Sequence, residues 1–208
     1  MQNRRHFLTA AAALLALPAS AAFSAPAAPY TRLSRSHLKE NPDKIEVIEF
    51  FSYGCGHCND FNPIIKAWAA RQPADLAFRR IPVAWNAAWK SLAKLYYALE
   101  ASGDLARLDE AVFDALHKQR KQLYTDRNVV DWYVQQGGNG QKFADLLKSF
   151  AVASKMNQAE QLRDSMQVDV VPTLVVEGLY KVSGNAFEEL LKNTDLTVAQ
   201  VRAQRSKK

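Results

Sequence analysis

The chain has 208 residues and a formal net charge of +6, with 48% hydrophobic and 23% charged residues. This composition is typical of a globular protein and excludes the disordered and collagen-like classes. A chain of this length can bury one sizeable core, so we expect one domain, or one domain that carries an insertion. The basic run at residues 202–208 has no interleaved aromatic residues, and we therefore expect no nucleic-acid partner.

Residues 1–25 have the composition of a signal peptide. Arg4 and Arg5 form a basic segment, an apolar stretch follows from Phe7 to Leu17, and small residues then offer a cleavage site. The apolar stretch is too short to span a bilayer as a helix. The paired arginines fit a twin-arginine signal as well as an ordinary Sec signal, so the export route stays open. Both routes lead out of the cytoplasm, and we expect a soluble periplasmic protein.

The chain has two cysteines, Cys55 and Cys58. A disulfide scaffold would spread more cysteines along the chain. A bridge between these two closes a loop so short that, as a structural staple, it would contribute only about 2 kcal/mol. A closed zinc site needs four ligands, and no second ligand pair lies at motif spacing. We therefore favour a redox-active pair over a structural staple or a metal site.

The segment around the cysteines predicts a strand, a turn and a helix. Residues 44–51 are rich in Ile, Val and Phe, which favours a strand. A helix is predicted from about Cys55 to Ala70, and Pro63 is expected to kink it. Cys55 would then lie at the helix N-terminus and Cys58 one turn later, within bridging reach.

The predicted position of Cys55 suits a nucleophile. Unpaired backbone N–H groups and the helix macrodipole stabilise an anion in the first turn of a helix. His57 can donate a hydrogen bond to the Cys55 sulfur, or pair with it as a cation, and so lower its pKa further. The alternative is that His57 is an ordinary solvent-exposed residue. A stabilised thiolate is a good leaving group, so the oxidised pair would be a fast oxidant, whereas Cys58 should face into the fold.

Two carboxylates, Glu46 and Glu49, interrupt the apolar strand. Because they are three residues apart, their side chains point to opposite faces of the sheet. In a central strand at least one would be buried, at a cost of several kcal/mol unless it is neutral, paired or hydrogen-bonded. We favour Glu49 as a proton relay for Cys58. The alternative is an acid at a strand end that pairs with Arg79 or Arg80.

The rest of the chain predicts a helical block between two groups of strands, with no cofactor-binding motif. We predict, in chain order, a strand at 76–83, helices within 87–166, strands at 170–176 and 179–182 joined by a hairpin turn at Glu177-Gly178, and helices at 186–192 and after 197. Strand patterns on both sides of Pro172 are unusual, because proline cannot donate to a sheet. We therefore expect a cis Val171–Pro172 bond in a tight turn beside the disulfide.

Two motifs resemble those of the DsbA family of bacterial thiol–disulfide interchange proteins. Residues 49–58 (EFFSYGCGHC) are similar to that family's active-site strand and helix start, and residues 170–173 (VVPT) to its cis-proline loop. The likeness covers about residues 40–192. It implies an α/β protein, a thioredoxin fold with an inserted helical domain. The expected parts are a thioredoxin-like first part at 26–85, the insertion at 86–166, and a second thioredoxin-like part with the C-terminal helix at 167–208.

The resemblance also implies roles for the site residues. Cys55 would be the nucleophile, and Glu49 would serve the buried Cys58. Pro172, preceded by Val171, would face the disulfide, where the Val171 backbone could pair with an extended substrate.

Gly56 is expected to face the substrate together with the cis-proline loop. It departs from the family pattern, because the best-known members have proline at this position. The central dipeptide tunes the redox potential, so the oxidising strength of this chain stays open.

The family likeness implies that the protein donates its disulfide to unfolded or folding exported proteins with free cysteines, through a mixed disulfide at Cys55. A membrane quinone-linked reoxidase of the DsbB type would reoxidise it. We expect a monomer with no bound cofactor. One alternative is a periplasmic isomerase or reductase of the DsbC or DsbG kind, although the short segment before the first strand leaves little room for the dimerisation domain of those proteins. Another is a non-catalytic peptide- or metal-binding module.

Overall fold

The computed structural model describes residues 28–34 and 39–206, so the expected signal peptide lies outside the described residues. The described residues form one five-stranded sheet and a set of helices. The strands are β1 (Tyr30–Arg32), β2 (Ile45–Phe51), β3 (Leu76–Pro82), β4 (Thr173–Val176) and β5 (Tyr180–Val182). The helices are α1 (Gly56–Ala70), α2 (Ala87–Ser102), α3 (Leu105–Phe113), α4 (Asp126–Gln135), α5 (Gly140–Leu147), α6 (Phe150–Ser165) and α7 (Phe187–Arg205), with a π-helical turn at Asp114–Lys118 after α3.

The strand β2 lies inside the sheet, whose strand order is β1-β5-β4-β2-β3. It pairs in parallel with β3 and antiparallel with β4. Every residue of β2 is buried. This matches its run of Ile, Val and Phe, since a strand covered on both faces needs apolar side chains in both directions.

Different helices cover the two faces of β2. Val47 belongs to a hydrophobic cluster with Ile65 of α1 and Val198 of α7. Ile48 belongs to a second cluster with buried residues of the inserted helices, such as Leu92 of α2. Because side chains alternate along a strand, odd-numbered residues near the middle of β2 face α1, and even-numbered residues face the insertion.

The helices α2 to α6 come between β3 and β4 in the chain. The parallel pair β2–β3 and the antiparallel hairpin β4–β5 together with α1 and α7 make the thioredoxin-like part. The predicted fold class, an α/β thioredoxin fold with inserted helices, is confirmed. Within the described part of the chain, no helix combines the length and the hydrophobicity required to cross a bilayer.

The C-terminal region differs from the prediction, because α7 is one helix and not two. Its polar middle is accommodated by hydrogen bonds to the preceding turn: the hydroxyls of Thr194 and Thr197 donate to the carbonyls of Leu190 and Asn193, at 2.8 and 2.6 Å. Both threonines are fully buried. Periodicity in apolar residues alone does not reveal a helix whose buried face includes threonine.

Two further details concern strand and helix limits. The strand β1 was not predicted, since three residues are too few to show a periodic pattern. Pro63 lies inside α1, which continues to Ala70, and the kink expected there stays a prediction.

Candidate active site at the start of helix α1

Cys55 caps the N-terminus of α1. Its backbone is extended, with φ −93° and ψ 121°, so the helix begins at Gly56, one residue later than predicted. The Cys55 Sγ atom accepts a hydrogen bond from the backbone N–H of Cys58, with a donor–acceptor distance of 3.4 Å. This is the position that Ser, Thr or Asp usually takes in order to satisfy a free N–H of the first turn. The capping group of this helix is therefore also its candidate nucleophile.

Both cysteines are free thiols, and their pKa values are shifted in opposite directions. The hydrogen bond from the Cys58 thiol lowers the pKa of Cys55 to about 6, with help from the backbone N–H groups of Cys58 and His57 and against the effect of partial burial. Burial, the hydrogen bond with Cys55 and the negative charges of Cys55 and Glu49 raise the pKa of Cys58 far above its ordinary value. At neutral pH, Cys55 is therefore a thiolate and Cys58 a thiol.

His57 and Gly56 are the exposed residues between the two cysteines. The charge of His57 lowers the pKa of Cys55, but less than the Cys58 thiol and the backbone N–H groups do. A Cβ atom at Gly56 would meet no atom within 4 Å. A side chain at this position would therefore begin in open space.

Gly54, on the other side of Cys55, has no such room. A Cβ atom there would lie 2.6 Å from the indole nitrogen of Trp89, on α2. Trp85 stacks on Trp89 with ring centroids 5.5 Å apart. Glycine at position 54 thus allows the tryptophan pair to lie against the loop that carries the nucleophile.

The Val171–Pro172 bond is cis, as predicted from the sequence. The loop lies beside the cysteine pair, where the Cys55 thiol contacts the Val171 carbonyl oxygen at 3.6 Å. The strand β4 begins at Thr173, not at Val170, because Pro172 has no N–H to donate to a ladder. The side chain of Val170 is exposed next to this loop.

Glu49 is fully buried, and since it follows Val47 by two residues along the strand it should point to the face of β2 that α1 covers. One of its carboxylate oxygens accepts a hydrogen bond from Nε of Arg80 at 2.7 Å. The other oxygen has no hydrogen-bond partner among the described residues. Burial raises the pKa of this carboxyl, the charge of Arg80 opposes that rise, and the charges of Asp109 and Cys55 add to it. Glu49 thus lies inside β2 and pairs with Arg80, whereas its role as a proton relay for Cys58 stays a prediction.

Asp109 is a site neighbour that the sequence analysis missed. Nη1 of Arg80 lies 3.1 Å from both of its carboxylate oxygens, and the Tyr53 hydroxyl donates to it at 2.8 Å. A signal was present, since Asp109 follows Leu105 by four residues and precedes Val112 by three. It therefore falls within the buried stripe of α3.

The inserted helices also contact the backbone of the active-site loop. The Tyr53 carbonyl lies 2.7 Å from Nε2 of His117, in the π-helical turn after α3. Tyr53 is fully buried and precedes Cys55 by two residues. The inserted helices thus contact the loop at the Tyr53 hydroxyl, through Asp109, and at the Tyr53 carbonyl, through His117.

Taken together, the start of α1 presents a partly exposed thiolate beside a buried thiol. A buried carboxylate lies beneath them, and a cis-proline loop lies against the thiolate. This arrangement can exchange disulfides, since a thiolate of low pKa is both an attacking and a leaving group. Across residues 28–34 and 39–206, no group of three or more His, Cys, Asp or Glu side chains is placed to hold a metal ion.

Comparison with known proteins gives the same picture. The DSBA-like thioredoxin domain model matches residues 46–194. The thiol:disulfide interchange protein DsbA of Burkholderia cepacia is 37% identical over 198 residues, which are 90% of this chain and 93% of that protein. The corresponding protein of Pseudomonas aeruginosa is 36% identical over 181 residues, which are 86% of each chain.

Solved structures show the same likeness. The crystal structure of Pseudomonas aeruginosa DsbA has a TM-score of 0.82 and 35% identity, over 86% of this chain and 94% of that chain. The oxidoreductase DsbA from Xylella fastidiosa has a TM-score of 0.80 and 29% identity, over 84% of this chain and 96% of that chain. Both the matched family model and the relatives span the strand, the helix start and the cis-proline loop described above. The chain therefore belongs to the DsbA family of thioredoxin-fold proteins, and it is a thiol–disulfide oxidoreductase.

Proposed function

We propose that the protein donates its Cys55–Cys58 disulfide to exported proteins that fold with free cysteines. The observation that carries this proposal is the difference in acidity within one helical turn, with the pKa of Cys55 lowered to about 6 and that of Cys58 raised. A disulfide whose reduced form contains a stabilised thiolate is a strong oxidant, because reduction is favoured. DsbA is itself the standard example of an oxidising disulfide with a thiol of very low pKa, so only the direction is inferred for this chain.

In the first step, a substrate thiolate attacks Cys55 Sγ of the oxidised protein. The bond between Cys55 and Cys58 breaks, a mixed disulfide forms between the substrate and Cys55, and Cys58 leaves as a thiolate. Because the pKa of Cys58 is strongly raised, this thiolate takes up a proton as it leaves.

Glu49 is the proposed source of that proton. It is buried, as Cys58 is, and its charge raises the pKa of Cys58. One of its oxygens is free of hydrogen bonds within the described residues. Burial raises the pKa of Glu49, which favours its protonated form more than in an exposed carboxyl.

In the second step, another substrate thiolate attacks the substrate sulfur of the mixed disulfide. The substrate disulfide forms, and Cys55 leaves as a thiolate that the helix start stabilises. The substrate has lost two electrons and both protein cysteines are reduced. No bound cofactor is required, because both electrons pass between sulfur atoms.

The cis-proline loop is proposed to orient the substrate. Its Val171 carbonyl lies against Cys55, and the neighbouring Val170 side chain is exposed. An extended substrate segment could pair with the Val171 backbone as an added strand, with Pro172 and Gly56 on either side of the sulfur. Backbone pairing of this kind accepts many sequences, which suits a protein with diverse substrates.

Residues 1–25 are proposed to direct export to the periplasm, by the Sec or the twin-arginine route. There the reduced protein would return its electrons to a membrane quinone-linked reoxidase of the DsbB type. The protein would act as a monomer, since the chemistry described above needs residues of one chain only.

The test uses the oxidised protein and a reduced, unfolded model protein that needs one disulfide to fold. We expect stoichiometric oxidation of the substrate, its loss in Cys55→Ser, and a trapped mixed disulfide in Cys58→Ser. Mass spectrometry of acid-quenched samples detects each species. Rearrangement of a scrambled substrate without net oxidation would instead identify an isomerase, and no mixed disulfide at all would overturn the proposal.

A further inference from the structure

A buried guanidinium connects the inserted helices with the carboxylate beneath the cysteines. Arg80, on β3, donates through Nε to Glu49 at 2.7 Å and through Nη1 to both oxygens of Asp109 at 3.1 Å. The side chains of Arg80 and Asp109 are only 9% and 10% exposed. One cation is thus shared between two carboxylates, one in the thioredoxin-like part and one on α3.

We propose that Asp109 is a positioning residue for disulfide exchange: by sharing Arg80 with Glu49, it keeps Glu49 able to accept and release a proton beside Cys58. The inference rests on the relay role proposed above for Glu49. Asp109 acts through Arg80, and the structure shows it in contact with neither sulfur.

The physical reason is the balance of charge in a buried space. A carboxylate with an arginine of its own is strongly favoured as an anion, and its pKa falls. Here Asp109 takes part of the positive charge, so Glu49 is only partly compensated. The charge of Asp109 accordingly adds to the effect of burial in raising the pKa of Glu49.

Several charged or titratable groups surround Glu49, and they come from different elements. They are Arg80 on β3, Asp109 on α3, Tyr96 on α2, Tyr53 in the loop, and Cys55 and Cys58 at the start of α1. Lys66 of α1 lies 3.8 Å from Asp109, but its side chain is 38% exposed and therefore well screened. Arg80 is the buried cation of this set.

Tyr53 gives Asp109 a fixed position. Its hydroxyl donates to Asp109 at 2.8 Å, and this hydrogen bond stabilises the Asp109 anion. Without the hydroxyl, Asp109 would depend more on Arg80, and Arg80 would then compensate the charge of Glu49 less. Removing the charge of Asp109 and removing the Tyr53 hydroxyl should therefore shift the pKa of Glu49 in opposite directions.

The experiment isolates the step in which Cys58 loses its proton. Reduced protein carrying glutathione on Cys55 as a mixed disulfide is the starting species. The Cys58 proton passes to Glu49, the Cys58 sulfur attacks Cys55 Sγ, the internal disulfide forms, and glutathione leaves as a thiolate. Acid quenching and mass spectrometry then give the first-order rate of glutathione release from pH 4 to pH 8.

Three variants are compared with the wild type. For Asp109→Asn, we expect the rising limb of the rate profile to move to lower pH by about one unit, because Glu49 then has Arg80 to itself. For Tyr53→Phe, which keeps the buried ring, we expect a smaller move to higher pH. The matched control is Asp104→Asn, since Asp104 accepts a hydrogen bond from Tyr133 within the same helical insertion but lies outside the Arg80 network.

The outcomes separate this inference from the proposed function. An Asp109→Asn profile that coincides with those of the wild type and Asp104→Asn overturns the inference, provided that Glu49→Gln removes the limb. If Asp109→Asn does not fold, an unshifted Tyr53→Phe profile overturns it instead. If glutathione release is equally fast in Glu49→Gln, the relay role itself fails.

Discussion

The two faces of β2 carry the same residue type in different surroundings. Glu46 and Glu49 are both fully buried, and the side chain of each pairs with an arginine of the adjacent strand β3. Glu46 accepts from Nε of Arg79 at 3.0 Å on the face of the inserted helices, and Glu49 accepts from Nε of Arg80 at 2.7 Å on the face of α1. Of the two, Glu49 is the carboxylate whose charge acts on the pKa of Cys58.

Burial and pairing therefore do not by themselves mark a reacting group. The Glu46 pair reaches the surface: Arg79 also contacts Glu40, whose side chain is 58% exposed. The Arg80 guanidinium lies 3.9 Å above the ring of Phe51 and forms an ion pair with a second buried acid, Asp109. Burial disfavours the charge of Arg80, but the carboxylates of Glu49 and Asp109 outweigh this and raise its pKa. The buried network of Glu49, Arg80 and Asp109 interacts strongly with a nearby thiolate charge. Water screens the charges of the Glu46–Arg79 network, which reaches the surface at Glu40.

The largest expected effect is the loss of folding stability when either arginine is replaced. Arg80→Met leaves the buried Glu49 without its cation and Asp109 with only the partly exposed Lys66, and it should cost about 3–5 kcal/mol of folding free energy. Arg79→Met should cost less, about 1–2 kcal/mol, because Glu46 keeps a contact with the backbone N–H of Glu40. Urea unfolding at pH 7 measures both.

The same pair of variants can be tested with pH. In Arg80→Met, the folded-state pKa of Glu49 should rise further above its unfolded value, so stability should fall as pH rises through that window. The deficit relative to the wild type should therefore shrink as the pH is lowered toward 5. Equal costs for the two variants, or a deficit independent of pH, would contradict the comparison.

The next largest effect is a pH-dependent difference in stability between the reduced and oxidised forms. The folded-state pKa of Cys55 is about 6, below the unfolded value of about 8.5. A lowered pKa contributes stability that is fully present above the unfolded value and is lost as pH falls through the folded value. The free energy of unfolding of the reduced protein should therefore increase, relative to that of the oxidised protein, by about 1 kcal/mol per pH unit between pH 6 and pH 8.5. This value allows for screening of a partly exposed thiolate.

Urea unfolding of both redox forms at pH 6, 7 and 8 measures this gain. We expect the reduced form to be the more stable one at neutral pH and above. Glu46→Gln should leave the pH dependence of the difference unchanged and serves as the control from the other face. Parallel pH curves for the two redox forms would mean that Cys55 is not a stabilised thiolate.

The smallest expected effect is that of the exposed imidazole of His57. His57→Ala should raise the pKa of Cys55 by only about a few tenths of a unit, because the imidazole is solvent-exposed and the backbone N–H of residue 57 remains. Thiolate absorbance at 240 nm as a function of pH measures the shift, with Gly56→Ala as a control. A shift of more than about one unit would show that the exposed charge, and not the backbone, stabilises the thiolate.

Local sequence patterns predicted the parts of the site that are close together in the chain. The strand before the cysteines, the cysteine pair in one helical turn and the cis bond at Pro172 each depend on a few neighbouring residues. The Arg80–Asp109 contact joins residues 29 apart in different elements, and no local pattern contains it. The position of Cys55 as the capping residue also follows from its backbone angles, which the sequence leaves undetermined.

The close approach of Trp89 to Gly54 has an optical consequence. The indole ring lies against the loop that ends at Cys55, and Trp85 is stacked on it. Indole emission is quenched at short range by disulfides and thiolates, and Trp89 lies against Gly54, the residue before Cys55. We expect the intrinsic fluorescence of this tryptophan pair to change when the disulfide opens. The protein would then report its own oxidation state without any added dye.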